Sequence, residues 1–359
     1  MKKILIINTV GLRYDGITNV ILSYLEVMDK QGLELYVTST RGDEEKIKDK
    51  LEQLGIKIVE LPSRRTDTMR YFIELIKAVR KNKIDVIHAH GNSATLAIEM
   101  VAGWMGSAKK RIAHSHNTKC EQVKADKLLR PLFNLMYSEA VACGNDAGKW
   151  LFKKRTFTVL PNGRDTDFFA YKAAKRNEKR NELDIEKSVA IGHVGGFFEQ
   201  KNHRFLVKVF REILKREPSA RLVLVGDGPL RNEIEFLVDD IRDNVIFVGT
   251  TPLVADYLQA MDGMLLPSLF EGLPLVAIEW QINGLPCVFS DTVTRECVFT
   301  EGVVFLSLKQ SPEKWAKVML DTIKNNNRME SSNVARKGAA EHSFDIRENV
   351  KILRNLYLS

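Results

Sequence analysis

Twelve apolar runs of strand length alternate with stretches whose apolar residues fall three and four apart, and this alternation limits the possible folds more than any other feature. Seven runs occupy the first half: KILIIN at 3–8, LELYVTS at 33–39, IKIVEL at 56–61, IDVIHAH at 84–90, KRIAHS at 110–115, EAVACG at 139–144 and FTVLPN at 157–162. Helical spacing is clear between them, at 17–30 and 68–82. Ile- and Val-rich strands that alternate with helices imply a parallel sheet covered on both faces. The alternation pauses at 170–188, AYKAAKRNEKRNELDIEKS, which is polar and lacks a strand pattern. It resumes with VAIGHVG at 189–195, ARLVLVG at 220–226, NVIFVG at 244–249, DGMLLPS at 262–268 and LPCVFSD at 285–291.

The expected α/β architecture is two doubly wound, Rossmann-like domains, 1–169 and 189–342, joined by a linker at 170–188. From about residue 311 onward the chain reads as helical, and 343–359 is expected to form a helix that packs back on the first domain. Ligands of such folds bind outside the carboxyl ends of the strands. Two sheets facing each other therefore imply one central cleft as the place of chemistry.

No run of about 18 uncharged apolar residues occurs, and the start MKKILIIN enters a strand pattern directly, so a cytoplasmic chain is expected. Cys120, Cys143, Cys287 and Cys297 are scattered, with neither a CxxC pair nor a His tract beside them, which suggests ordinary thiols rather than zinc ligands or a disulfide framework. The formal net charge is +8, and residues 1–165 hold 28 Lys and Arg against 19 Asp and Glu. Arg64, Arg65, Arg70, Lys77, Arg80, Lys81, Lys83, Lys119, Lys124, Lys127 and Arg130 supply much of this excess. Such residues form either a solvated helix surface or a face toward an anionic membrane or phosphate-bearing acceptor. Nucleic acid is disfavoured, because no aromatic-studded strands or basic recognition helix accompany the charge.

The most informative stretch is PSLFEGLPLVAIEWQINGLP at 267–286. A strand ends near Pro267, a turn with Gly272 and Leu273 follows, and a helix is expected to start with Pro274 in its first turn. The amides of Leu275 and Val276 would then point outward with the helix dipole behind them, an anion site suited to a diphosphate. Glu271 and Glu279 have seven residues between them, a spacing of about 12 Å along one helix, too long for an acid/base pair on one bond. Separate roles follow: Glu271 for a sugar next to the phosphates, Glu279 for ribose hydroxyls. Alone, the spacing equally describes two surface carboxylates on a capped helix.

Glu-Gly-Leu-Pro-Leu before the second Glu, with LPCVFSD after it, resembles the signature of glycosyltransferase family 4, whose members are retaining enzymes of GT-B fold. The likeness continues through VLPNGRDTDFF at 159–169, HVGGFFEQKNHRFL at 193–206, LVGDGPLR at 224–231 and IFVG at 246–249, in the family's order. It implies a nucleotide diphosphate sugar as donor, with UDP the expected nucleotide, an acceptor held by the first domain, and no metal or other cofactor. Lys201 matches the family cation that neutralises the diphosphate. The second family cation, an Arg, is replaced by Gly196, although Gly195 and Gly196 still permit close backbone approach to a ligand. Arg204 or Arg231 could replace the missing charge, and Gly196→Arg is expected to raise turnover.

The resemblance further assigns His116, with His114 as second choice, to the donor sugar, since the family has a His at a matching strand end. Period two places both on one face of their strand; without the resemblance, a strand-end His is more often structural. Gly16, in VGLRYDGITNVILSYL at 10–25, matches the family's glycine turn near the donor phosphates, and the backbone at Phe247 and Val248 would read the base. His116, Lys201 and Glu271 are the expected catalytic residues. The nearest members in pattern build capsular or exopolysaccharide units on lipid carriers, which implies a glycan or lipid-linked acceptor and a chain peripheral on the inner face of the membrane. A nucleotide-sugar epimerase of the same fold, a weakly active subunit that binds a partner, and a transferase with a soluble acceptor remain as alternatives.

DTD at 165–167 imitates an Asp-x-Asp metal motif, but after Pro161-Asn162-Gly163 it reads better as a turn and helix cap. GDGP at 226–229 fails the GxGxxG fingerprint, and so does VGLRYDG after the first strand, which disfavours a dehydrogenase.

Overall fold

The computed structural model describes residues 1–13 and 15–359; Tyr14, inside the glycine turn read at 10–25, lies outside the described residues. The chain divides into two compact units, residues 1–163 together with 346–359, and residues 164–345.

The first unit is built on seven parallel strands, β1 (Lys2–Asn8), β2 (Leu33–Thr40), β3 (Lys57–Leu61), β4 (Val86–Gly91), β5 (Lys110–Ser115), β6 (Glu139–Ala142) and β7 (Thr158–Val159), in the order β3-β2-β1-β4-β5-β6-β7. Central β1 and β4 are buried on both faces, and β1 accordingly runs apolar from Ile4 to Ile7, whereas β4 buries His88 and His90 among apolar residues. The helix Ile346–Leu358 belongs to this unit, packing on β1 and on the helix Gly16–Val27. Asn349 Nδ2 donates to the Pro161 carbonyl at 2.8 Å, and a Cβ on Gly163 would lie 2.7 Å from the Ile346 Cα, so only glycine fits where this helix begins.

The second unit holds six parallel strands, β8 (Ala190–Val194), β9 (Arg221–Val225), β10 (Val245–Gly249), β11 (Gly263–Leu266), β12 (Cys287–Ser290) and β13 (Val303–Leu306), in the order β10-β9-β8-β11-β12-β13. Ile191, Phe210, Leu222, Leu265, Val288 and Trp315 share its core, each such side chain contributing about 1.5–3 kcal/mol by leaving water. Strand β13 is absent from the sequence reading.

Two expectations are corrected. The boundary falls at 163/164 rather than 169, because Arg164 N donates to the Phe344 carbonyl at 2.7 Å and Asn283 Nδ2 to the Phe169 carbonyl at 2.6 Å, stitching 164–169 into the second unit. The stretch 170–188 is not a linker. It carries the helix Ala173–Glu182, where Arg176 and Arg180 reach Asp262 at 2.5 and 3.1 Å and Arg180 also donates to the carbonyls of Ala260, Ile185 and Ser188. Guanidinium groups rather than apolar side chains fasten this helix, so a hydrophobic pattern could not reveal it.

Candidate active site

Strand order in the second unit reverses between β8 and β11, each followed by a loop at its carboxyl end, and this switch point is where such sheets hold ligands. The two loops are stitched together: Leu269 N donates to the Gln200 carbonyl at 2.8 Å, and Asn202 Nδ2 to the Pro267 carbonyl at 3.1 Å. Asn202 sits in the left-handed region at φ 55°, turning the chain between the short turn Glu199–Lys201 and the helix His203–Leu214. This brings Lys201 to Glu271, with Nζ 2.7 Å from Oε1. Gln200 Nε2 holds the other oxygen at 3.1 Å and the Phe270 carbonyl at 2.9 Å. Both oxygens of a buried carboxylate are thus engaged.

The segment after Glu271 leads into the helix Leu275–Ile282, with Pro274 as its N-cap at φ −70°, ψ 116° rather than inside its first turn. The Ala277 amide returns to the Pro274 carbonyl at 3.1 Å, so the amides of Leu275 and Val276 precede the helical ladder. Gly272 and Val276 are partly exposed, while Leu273, Pro274 and Leu275 are buried. Glu279, inside the helix, pairs with Arg164 at 2.7 Å, both nearly buried. Burial raises the pKa of the Glu279 carboxyl, and the neighbouring Arg164 opposes that rise. The two glutamates therefore serve different cations, Lys201 and Arg164. Arg164 lay within the quoted VLPNGRDTDFF, but no spacing rule joins residues 164 and 279.

The glycine turn after β8 has distinct uses for its two members. A Cβ on Gly195 would stand 3.1 Å from both Lys201 Cε and His193 Nε2, so the glycine lets the lysine stem lie across the backbone. A Cβ on Gly196 would lie 2.5 Å from Phe198 Cε2; an exposed phenyl ring occupies the space a larger residue would need. Neither proposed substitute cation is unpaired: Arg204 holds Glu199 at 2.6 and 2.8 Å and also Glu233, and Arg231 holds Asp227 at 3.1 Å and Glu235 at 2.9 Å. The glycines of GDGP make the β8 and β9 loops fit. Gly226 and Gly228 have φ of 135° and 159°, and a Cβ on either would collide with the backbone of Gly195 or Phe197. In β10 the register with β9 skips Val248, leaving its backbone outside the ladder, while Phe247 packs on Phe197 under the guanidinium of Arg242 at 4.7 Å.

In the first unit the structure adds two histidines to the two expected. His88 and His90 on β4 stand beside His114 and His116 at the end of β5, with neighbouring ring centroids 4.2–5.2 Å apart. Tyr357 Oη, from the C-terminal helix, meets His88 Nδ1 at 2.7 Å; His88 Nε2 meets His114 Nδ1 at 3.1 Å, and His90 Nδ1 meets His116 Nε2 at 2.8 Å. Asn92 Oδ1 accepts from the His116 amide at 3.1 Å. His116 Nδ1 and His114 Nε2 are buried polar atoms with no protein partner. Burial holds all four imidazoles below their ordinary pKa, to about 3 for His88 and His116, and the rings are neutral. His88, His90 and His114 could offer donor atoms within 4.8 Å of one another to a metal ion, but both nitrogens of His88 already have partners.

Gly16 is not held to glycine by its surroundings. It opens the helix Gly16–Val27 with Asp15 as N-cap, and a Cβ there would meet nothing within 4 Å. The glycine this loop requires is Gly11, at φ 84° and with its Cβ position 2.6 Å from Asp43 Oδ1. Several members of the basic group have partners within the fold: Arg64 holds Glu99 at 2.6 Å, Arg130 holds Asp126 at 2.6 Å, and Arg80, though exposed, donates to the Met105 carbonyl at 2.8 Å. In the DTD segment, Asp165 Oδ1 accepts from the amides of Asp167 and Phe168 at 2.9 and 3.0 Å, a turn-capping use of the side chain.

Residues 14–168 match the family model described as Glycosyltransferase Family 4, and residues 188–325 the one described as Glycosyl transferases group 1. EpsF of Bacillus subtilis (strain 168), named as a glycosyltransferase, is 30% identical over 97% of this chain and 94% of its own length. The UDP-Gal:alpha-D-GlcNAc-diphosphoundecaprenol alpha-1,3-galactosyltransferase of Escherichia coli is 27% identical over 64% of each chain. Among solved structures, Anabaena HepE in complex with UDP-glucose superposes with a TM-score of 0.81 at 16% identity, covering 99% of each chain, which shows a shared GT-B fold.

Proposed function

Since this chain belongs to the glycosyltransferase family 4 group of GT-B glycosyltransferases, we propose that it is a retaining enzyme moving a hexosyl or N-acetylhexosaminyl group from a UDP-sugar to a hydroxyl of a lipid-linked glycan in polysaccharide assembly. The observation that carries this reading is the meeting of Lys201 and Glu271 at the switch point, next to the amides that open the helix Leu275–Ile282. A diphosphate there gains the helix dipole, two backbone donors and one ammonium. Gly272, Leu273 and Pro274 shape that loop, and Gly195 and Gly196 leave room for the phosphates. Glu271 and His116 orient the sugar, Glu279 reads ribose while Arg164 fixes its carboxylate, and the unladdered backbone at Val248, beside Phe247, reads the base. Gly16, at the opening of the helix Gly16–Val27, is assigned to the donor phosphates or the acceptor.

In the reaction the bond from the anomeric carbon to the diphosphate oxygen breaks as the acceptor oxygen bonds to the same carbon from the same face. The acceptor proton passes to the departing phosphate oxygen, and Lys201 stabilises the charge that develops there. No metal or other cofactor is needed in this account. A UDP donor and a diphospholipid acceptor are supported by the name of the Escherichia coli relative. A lipid-linked acceptor also gives a reason for a peripheral position on the inner membrane face, and no helix among the described residues is long and apolar enough to cross a membrane.

A panel of sugar nucleotides screened by thermal shift tests the donor, since a ligand bound only by the folded state raises the melting temperature. Formation of a glycosylated lipid supports transfer. Conversion of the sugar nucleotide without acceptor would support an epimerase instead. A weakly active subunit is the second reading, motivated by Gly196 and the Phe198 ring beside it; absence of binding by every sugar nucleotide would favour it.

A further inference from the structure

The neighbouring imidazoles of His88, His90, His114 and His116 are joined by hydrogen bonds into two separate lanes. A neutral imidazole has one N–H and one bare nitrogen, so the bond made at one nitrogen decides what the other presents. In the first lane Tyr357 Oη meets His88 Nδ1 at 2.7 Å, and His88 Nε2 meets His114 Nδ1 at 3.1 Å. Tyr357 is fully buried, and no other group among the described residues accepts from its hydroxyl. The phenol therefore donates to His88, and His88 and His114 each carry their proton on Nε2.

In the second lane His90 Nδ1 meets His116 Nε2 at 2.8 Å, and either ring has the chemistry to donate. His90 and His114 both line a small cavity whose other walls include Ile21, Leu25, Met28 and Leu353. If His116 donated, His90 would carry its N–H on Nε2, where no group among the described residues accepts it, and two N–H groups would compete within one apolar surrounding. If His90 donates, its bare Nε2 stands beside the His114 N–H, since a ring nitrogen of each lies within 4.8 Å of the other. The N–H left over is then that of His116 Nδ1, a buried atom with no partner among the described residues. One N–H is unpartnered in either arrangement, and only at His116, the residue assigned to the donor sugar, does a substrate oxygen become available to accept it.

We propose that His90 is a positioning residue: by donating from Nδ1 to His116 Nε2 it fixes His116 as the tautomer with its proton on Nδ1, a hydrogen-bond donor for an oxygen of the transferred sugar. This rests on the reading of His116 as a residue of the donor sugar. The main chain is arranged to the same end. Thr9 Oγ1 donates to the His90 carbonyl at 2.8 Å, Asn92 Oδ1 accepts from the His116 amide at 3.1 Å, and the Asn92 carbonyl accepts from Trp150 Nε1 at 3.0 Å. Ring and backbone of His116 are thus each held from β4 and the turn after it, and the donor is oriented before a substrate arrives. Burial keeps the ring neutral, so it adds no positive charge beside an anomeric carbon that becomes cationic during transfer.

Nitrogen NMR of the full chain, isotope-labelled at histidine, tests this, because protonated and bare ring nitrogens resonate far apart. The His116 signals are identified by their loss in His116→Ala. The wild type is expected to show the His116 proton on Nδ1, and His90→Leu to shift it toward Nε2. His90→Asn, whose amide N–H can stand where His90 Nδ1 does, is expected to keep it on Nδ1. Release of UDP from whichever of UDP-glucose, UDP-galactose and UDP-N-acetylglucosamine turns over fastest gives the kinetic readout. kcat/KM should fall about fivefold to tenfold in His90→Leu and return to within about twofold of wild type in His90→Asn. UDP, which has no sugar, should titrate equally with all three proteins. A His116 proton on Nε2 in the wild type overturns the proposal whatever the variants do, and so does a His90→Asn as slow as His90→Leu. Either result, with turnover lost in His116→Ala, removes His90 and leaves the sugar reading of His116 standing. Turnover of His116→Ala equal to wild type removes that reading itself, and the role of His90 with it.

Discussion

Lys201 Nζ and Glu271 Oε1 stand 2.7 Å apart, so the cation assigned to the diphosphate and the carboxylate assigned to the sugar are each other's partners. A bound diphosphate would compete with Glu271 for the ammonium. Lys201→Met should therefore lower kcat by about 10²–10³, as for a lost transition-state donor, whereas Glu271→Gln should lower kcat yet tighten UDP binding. Initial rates with calorimetric titration of UDP separate the two. Weaker UDP binding in Glu271→Gln would show that the pair builds the site rather than competes with its ligand.

Gly196 is the one position where the expected cation pair is incomplete, and the ring of Phe198 fills the adjacent space. Gly196→Arg alone must displace that ring. Combined with Phe198→Ala, it is expected to raise turnover by up to about tenfold by restoring a second positive charge. Rates measured for the single and double variants decide this; a double variant slower than wild type would mean that Phe198 itself serves the ligand.

Arg164 and Glu279 form a nearly buried pair within the second unit. Arg164→Met leaves a carboxylate buried without its cation, and stability should fall by about 3–5 kcal/mol. Urea unfolding followed by tryptophan fluorescence checks this, with Trp280 on the same helix as Glu279 as a reporter. An unchanged midpoint would place Glu279 in contact with water rather than in the pair.

The histidine file links stability to pH. The folded pKa of each ring lies below its unfolded value of 6.5, so the unfolded chain binds more protons in that window. Stability is full above pH 6.5 and is lost as pH falls toward about 3. The slope reaches about 1.4 kcal/mol per pH unit for each ring. Urea midpoints on either side of the imidazole range should show the fall, and His88→Phe should reduce it. A flat profile would mean the rings are charged or solvated in the folded state.

Much of this arrangement was legible in the sequence, and the exceptions share a cause. Apolar runs located all strands but β13, and Glu271 and Lys201, far apart in sequence, meet at the switch point that strand alternation implied. The helix Ala173–Glu182 escaped because its anchors are Arg176 and Arg180, which read as solvent-facing charges until Asp262 is placed beside them. Arg164 and the histidines of β4 escaped for a similar reason. Residues 164 and 279, or 90 and 116, become partners only through tertiary packing, on which local spacing is silent. Gly16 drew attention to the turn between β1 and the helix Gly16–Val27, but the left-handed position there is Gly11, since a glycine's φ is not written in its neighbours.

In the proposed site, the opening of the helix Leu275–Ile282 and Lys201 together grip a diphosphate. The most direct test of that grip is calorimetric titration of wild type and Lys201→Met with uridine and with UDP. Wild type is expected to bind UDP far more tightly than uridine, and most of this difference to disappear in Lys201→Met. Equal affinity of wild type for the two ligands would contradict it.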